Sequence, residues 1–337
     1  MTDKSNRARL GRRGIAVALA IVLPAAGVHV WLNTNLFGRE DVCAGLVSGD
    51  AAESVFAGSG RISDGDGTDG PSSDRIAFTC TVESSSFLPG SDTEHLRISA
   101  ARERGDFPFS DHGRWPSPAS VSFFSGGATG GVGSDHGWVL LPEACTTADG
   151  PAVIEGYAPE GSDPVELARL LTEAANRTAE RADCAGGEPL TAPDSLDTAP
   201  DPRAVPSGAV CGSADLMFPG PTPRPQARER VRESAGPTWA CEVSDHATYA
   251  VSQEPRLLAG IRSSPRFAEQ PRVAGLPVSG FDARHVVADC GGTPTYFSVD
   301  VGPGYTSALE EAGAPRLGAL FDNFVDVIGE RFDCDAR

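Results

Sequence analysis

The chain has 337 residues, 28 basic and 46 acidic side chains, a net charge of −18 and 40% hydrophobic residues. Its first forty residues hold six of the basic groups and two of the acidic ones, so the other 297 carry −22. A surface that acidic argues against nucleic acid or anionic lipid as a partner, and a stretch of that length suits two domains better than one.

Residues 1–13 read as a basic cytoplasmic tail, with Lys4, Arg7, Arg9, Arg12 and Arg13 ahead of an uncharged run. That run, 14–38, reads as a transmembrane signal anchor: about 20 apolar residues span a bilayer, and flanking Lys/Arg keep their side cytoplasmic. The competing reading is a cleaved signal peptide ending near Ala25-Ala26-Gly27. The apolar run continues past that site to Val28, Val30, Trp31 and Leu32, which favours the anchor and a single-pass protein with its C-terminal part outside. No lipobox-like cysteine follows the run.

Residues 41–184 form a first extracytoplasmic repeat. A short helix is expected at Asp50–Ala57, with Asp50 and Glu53 as its capping box. The Gly/Asp/Ser-rich stretch 59–74 follows, then a strand around Phe78-Thr79-Cys80-Thr81-Val82. The stretch 125–137 reads as a mobile glycine-rich loop, and Ala152-Val153-Ile154 as a strand. Leu167, Leu170, Leu171, Ala174 and Thr178 mark one stripe of a helix that opens at Asp163-Pro164, with Glu166 completing a capping box. Residues 185–208, rich in Pro, Asp and Gly, read as an extended, solvated linker.

Residues 209–337 form a second repeat, and the same signals return in it. "ERADC" at 180–184 is echoed by "ERFDC" at 330–334, and the helical stripe reappears as Leu317, Leu320, Phe321, Phe324 and Ile328. Trp239-Ala240-Cys241-Glu242-Val243 parallels the strand at Cys80, and Phe297, Val299 and Val301 alternate with Ser298 and Asp300 as in a half-buried strand. The resulting expectation is α+β: one N-terminal transmembrane helix followed by two related disulfide-stapled domains, each of antiparallel strands with an amphipathic C-terminal helix.

The eight cysteines divide evenly, as Cys43, Cys80, Cys145 and Cys184, then Cys211, Cys241, Cys290 and Cys334. In an exported chain this is a disulfide pattern. Four cysteines allow three connectivities, which spacing leaves open; sequential pairing within each repeat is the expectation, with each bridge acting on its own domain. No close Cys/His pair suggests zinc.

Signals for chemistry are sparse. Asp64, Asp66 and Asp69 in "DGDGTDG" resemble a calcium loop, but the positions for the turn glycine and the bidentate acid hold Asp69 and Arg75. A solvated turn explains them, and no metal or cofactor is expected. Asp111-His112, Asp135-His136 and Asp245-His246 lack an accompanying nucleophile motif, so these histidines are expected at the surface or at strand edges. No catalytic residue is assigned. Trp115, in a loop with no counterpart in the second repeat, is the one candidate binding residue, because aromatic side chains are enriched at interfaces.

With "VCAGLV…FTCTV…PEAC…ADC" duplicated behind a basic-flanked apolar segment, and Arg replacing Lys almost throughout, the chain resembles actinobacterial membrane-anchored or secreted proteins with a repeated four-cysteine domain. The resemblance implies no site residues. The expected function is a non-catalytic, membrane-anchored extracytoplasmic module that binds an envelope protein or cell-wall ligand. The alternatives are an envelope hydrolase and an accessory subunit of a membrane complex.

Overall fold

The computed structural model describes residues 24, 27–28, 30–36, 38–58, 60–65, 70–73, 75–87, 92–109, 115–220, 226–232, 236–311 and 313–334. A small hairpin of β1 (Asp41–Val42) and β2 (Val47–Ser48) leads into helix α1 (Gly49–Val55). The first lobe then lays down β3 (Arg61–Asp64), β4 (Phe78–Ser85), β5 (Glu94–Arg102), β6 (Ser122–Phe124), β7 (Gly130–Val132), β8 (His136–Leu140) and β9 (Ala152–Tyr157), and closes on α2 (Pro164–Arg181). Its strands pair in the order β3-β4-β5-β9-β8-β7-β6.

The second lobe begins with the edge strand β10 (Arg203–Ala204), then β11 (Arg228–Arg232), β12 (Thr238–Val243) and β13 (Ala247–Ser252). Helix α3 (Pro255–Ser263) precedes β14 (Ala268–Val273), β15 (Leu276–Asp282), β16 (His285–Cys290) and β17 (Thr293–Val301). Helices α4 (Pro303–Glu310) and α5 (Leu317–Gly329) end the lobe. The sheet order is β10-β11-β12-β13-β17-β16-β15-β14, so apart from β10 both sheets share one topology.

Alternation along the strands divides the apolar side chains among three cores. Val139 and Ile154 face α2 with Leu167, Leu170 and Leu171, while Trp239, Tyr249 and Phe297 face Phe321 and Phe324 of α5. The residues between them in sequence point the other way. Trp138, Leu140 and Val153 of the first sheet meet Ala240, Ala250, Val287 and Tyr296 of the second, with Leu257, Leu258 and Ile261 of α3 filling the seam. The layers therefore run helix, sheet, sheet, helix, and the lobes share a core.

The expected α+β architecture with a membrane helix is corrected by this arrangement. Three antiparallel sheets of two, seven and eight strands dominate the described residues, and helices are few. Among the described residues no helix is long and apolar enough to cross a membrane. The expected basic tail, together with residues 14–23, 25, 26, 29 and 37 of the expected anchor, lies outside the described residues. The far end of the anchor segment docks on the first lobe instead: Asn33 accepts from Ser86 Oγ and from Phe87 N at 2.7 Å, and Arg61 lies 4.6 Å over the Trp31 ring.

Local rules explain much of the detail. Asp163 caps α2 by accepting from Val165 N at 2.8 Å, but Glu166 pairs with Arg169 at 2.5 Å rather than closing a capping box. Helix α1 is capped by Ser48 rather than by Asp50, through Ala51 N at 3.3 Å. The echoed Asp-Cys is a helix stop. Asp183 and Asp333 adopt left-handed φ of 55° and 58°, a conformation Asp tolerates, and the following cysteine N–H groups reach back to Ala179 O and Gly329 O at 2.9 and 3.0 Å.

The bridges are Cys43–Cys80, Cys145–Cys184, Cys211–Cys241 and Cys290–Cys334. They leave no free thiol, which places the folded chain in an oxidising, extracytoplasmic compartment. The linker is not solvated throughout. Asn176 of α2 donates to Leu190 O at 2.9 Å and accepts from Leu190 N at 2.8 Å, and Leu190 and Leu196 pack on the first core.

Candidate functional site

The first sheet packs on the second lobe through β8 and the start of β9, but its inner face stays open over β4, β5 and the end of β9. The open part is a groove of about 770 Å³ lined by Arg75, Thr79, Arg97, Ser99, Ala101, Glu155 and Tyr157. Register alone brings these together. Thr79 faces Ser99, Ser99 faces Glu155, and Arg97 faces Tyr157, each pair on neighbouring strands with side chains on the same face.

Behind Glu155, which lines the groove, His136 Nε2 lies 3.0 Å from Glu155 Oε1, and the two residues are only 4% and 6% exposed. The imidazole packs 4.7 Å from the Tyr157 ring and 5.5 Å from that of Trp115. At the open end Arg75 and Arg97 are exposed and have no acidic partner among the described residues. On a chain carrying so many surplus acids, two guanidiniums without acidic partners among the described residues stand on one face. Such a surface can receive an anion on the arginines and hydroxyl donors on the Glu155 carboxylate.

The sequence candidates fall elsewhere than expected. Trp115, read as a candidate binding residue, is 4% exposed and sits edge-on to Phe107 at 4.7 Å, in the core shared by the lobes. The glycine stretch expected as a loop contains β7, where Gly131 lies so close beneath Trp138 that a Cβ would come within 3.0 Å of the indole. Of the acidic turn, Asp66 and Asp69 lie outside the described residues, as does Asp111-His112.

Asp64 is structural: it accepts from Cys43 N at 2.6 Å and pairs with Arg39. Glu229 repeats this clamp in the second lobe, accepting from Cys211 N at 2.8 Å and pairing with Arg203 at 2.9 Å. Both clamped cysteines have φ of 55°. Cys43, Asp64 and Cys80 lie close enough to resemble a metal cluster, but both sulfurs are spent in the disulfide. His246 sits at the β12–β13 turn beside Phe218 at 5.4 Å.

A second buried histidine stands on the inner face of the other sheet. His285 is 5% exposed, with Nδ1 2.9 Å from Asp282 Oδ1 and Nε2 3.5 Å from Asp300 Oδ1. Burial pulls its pKa down, but the hydrogen bonding and charge of Asp282 and Asp300 outweigh burial and raise it to about 9. The hydrogen bond from His285 in turn lowers Asp282 to about 2, against the opposing effect of burial. A raised histidine contributes stability that is complete below its unfolded value of 6.5 and is lost as pH rises through about 9. Unfolding in urea across this range is expected to show a loss of roughly 3 kcal/mol. The His285→Gln variant is expected to be flat over the same interval; an identical slope in the variant would assign the effect to another group.

Arg75, Arg97, Glu155 and Tyr157 carry no sequence motif. The only signal is Arg97, at a strand position between the core residues Leu96 and Ile98; Arg75 lies in the turn before β4, and the pairing of β4, β5 and β9 makes the surface beside it. Comparison with protein-family models, curated proteins and solved structures gives no match, so the chemistry rests on this chain's own geometry.

Proposed function

We propose that the protein is a non-catalytic extracytoplasmic binding module whose first lobe takes an acidic, hydroxyl-bearing ligand, such as a uronic or muramic acid unit of an envelope polymer. The observation that carries this reading is the pair Arg75 and Arg97, without acidic partners among the described residues, in one groove with Glu155, which His136 holds from behind. The carboxylate of such a sugar meets the guanidiniums, its hydroxyls meet Ser99 and Glu155, and its ring lies against Tyr157. All eight cysteines are in disulfides, so no thiol is left as a nucleophile. The frame of two disulfide-stapled lobes keeps the groove preorganised, which lowers the entropic cost of binding.

Calorimetric titration with glucuronate and N-acetylmuramate tests the reading, with N-acetylglucosamine as the uncharged control. Arg97→Gln is expected to weaken binding of the acids about tenfold or more while leaving the melting temperature unchanged, because the side chain is exposed. Equal affinity for the uncharged sugar, or binding indifferent to Arg97→Gln, would overturn it.

A further inference from the structure

A second cavity, of opposite chemistry, opens where both lobes meet the linker. It measures about 240 Å³ and is walled by Phe123, Phe124, Leu196, Asp197, Glu254 and Leu257. Glu254 is the N-cap of α3 and is 6% exposed. Its Oε1 accepts from Thr129 Oγ1 across the lobe boundary at 3.2 Å and from Arg256 N at 3.4 Å.

The neighbouring cations do not close an ion pair with it. Arg256 sends Nη2 to Leu141 O at 2.7 Å, and Arg232 sends Nη1 to Val121 O at 2.6 Å. Among the described residues Glu254 therefore has hydrogen-bond donors but no salt bridge. Arg256 acts on Glu254 only through space, and a carboxylate withdrawn from water with no cation in direct contact is costly, a cost that a ligand cation would offset.

We infer that this interlobe cavity is a binding site for a small primary amine with an apolar body. The ammonium sits on the Glu254 carboxylate and the body lies between Phe123, Phe124 and Leu257. The volume is below the roughly 300–1,000 Å³ of pockets for drug-sized ligands, so the occupant is a compact molecule. The −22 carried by residues 41–337 attracts cations toward the mouth and raises their local concentration. Because lobe one, linker and lobe two each supply a wall, the site exists only in the assembled pair of lobes. It is independent of the arginine groove, whose ligand carries the opposite charge.

The test is calorimetric titration of the folded, oxidised protein with phenethylamine, with phenylacetate as the anion of matching shape. Phenethylamine is expected to saturate one site, and Glu254→Gln to weaken it at least about tenfold. Thr129→Val, which removes only the hydroxyl that orients the carboxylate, is expected to weaken it a few-fold. Ser125→Trp, at the exposed rim, is expected to abolish binding without altering any charge, and decides the matter if the Gln variant folds poorly. The inference is overturned if phenethylamine shows no saturable heat up to about 10 mM, if phenylacetate binds as well, or if Ser125→Trp leaves binding unchanged.

Discussion

Replacing Trp138 by alanine is expected to destabilise both lobes together, by about 3–5 kcal/mol, within one unfolding transition. The indole is fully buried in the shared core, edge-on to Phe107 at 4.8 Å and to Phe123 at 6.0 Å, and lies over the bare Gly131 backbone. Tyr296 and Val287 of the second sheet belong to the same cluster. Removing the ring leaves a void that two rigid sheets cannot collapse to fill. Because the void is common to both sheets, neither lobe escapes its cost. Calorimetry checks this: two separate transitions, with only the earlier one shifted by Trp138→Ala, would show that the lobes unfold independently. Charged groups reinforce the coupling. Arg232 and Arg256 of the second lobe each donate to a backbone carbonyl of the first, at 2.6 and 2.7 Å.

Loss of the Cys145–Cys184 bridge is the second large effect. Its loop spans 39 residues, for which the chain-entropy model gives about 4 kcal/mol. Against a total stability of about 5–15 kcal/mol, the double variant Cys145→Ser/Cys184→Ser is expected to survive with a sharply lower urea midpoint. The bridge fastens the C-terminal end of α2 to the turn after β8, where Arg102 Nη1 also donates to Cys145 O at 2.6 Å. The sequence alone suggests that such a loss stays within one domain. The shared core predicts instead that the far lobe melts with the damaged one. A loss of less than about 1 kcal/mol would mean that the reduced chain already holds this loop closed.

Part of this architecture is legible in the sequence. The repeat of Asp-Cys after an amphipathic stripe marks two helix ends, because Asp before Cys takes the left-handed stop at 183 and 333. Period-two alternation marks strands such as β12 and β17. The sequential disulfides agree with short loops in each half, though spacing alone leaves three connectivities open. Other features mislead for identifiable reasons. Trp115 and the Gly126–Gly133 stretch carry loop-like composition, yet Trp115 and residues 128–132 are buried: an aromatic ring and a bare backbone both pack closely against neighbouring side chains. Adjacency in sequence pairs His136 with Asp135 at the surface, whereas its partner is Glu155, on the neighbouring strand.

Local sequence determined the repeated strands, the helix stops and the cysteine frame, since each depends on backbone preference and near-neighbour spacing. The tertiary structure alone decided which sheet faces turn toward each other, where a buried carboxylate lacks a salt bridge among the described residues, and which arginines share a groove. Those depend on strand register and lobe packing, which place residues such as Arg97 beside Tyr157, or Thr129 beside Glu254, across long stretches of chain.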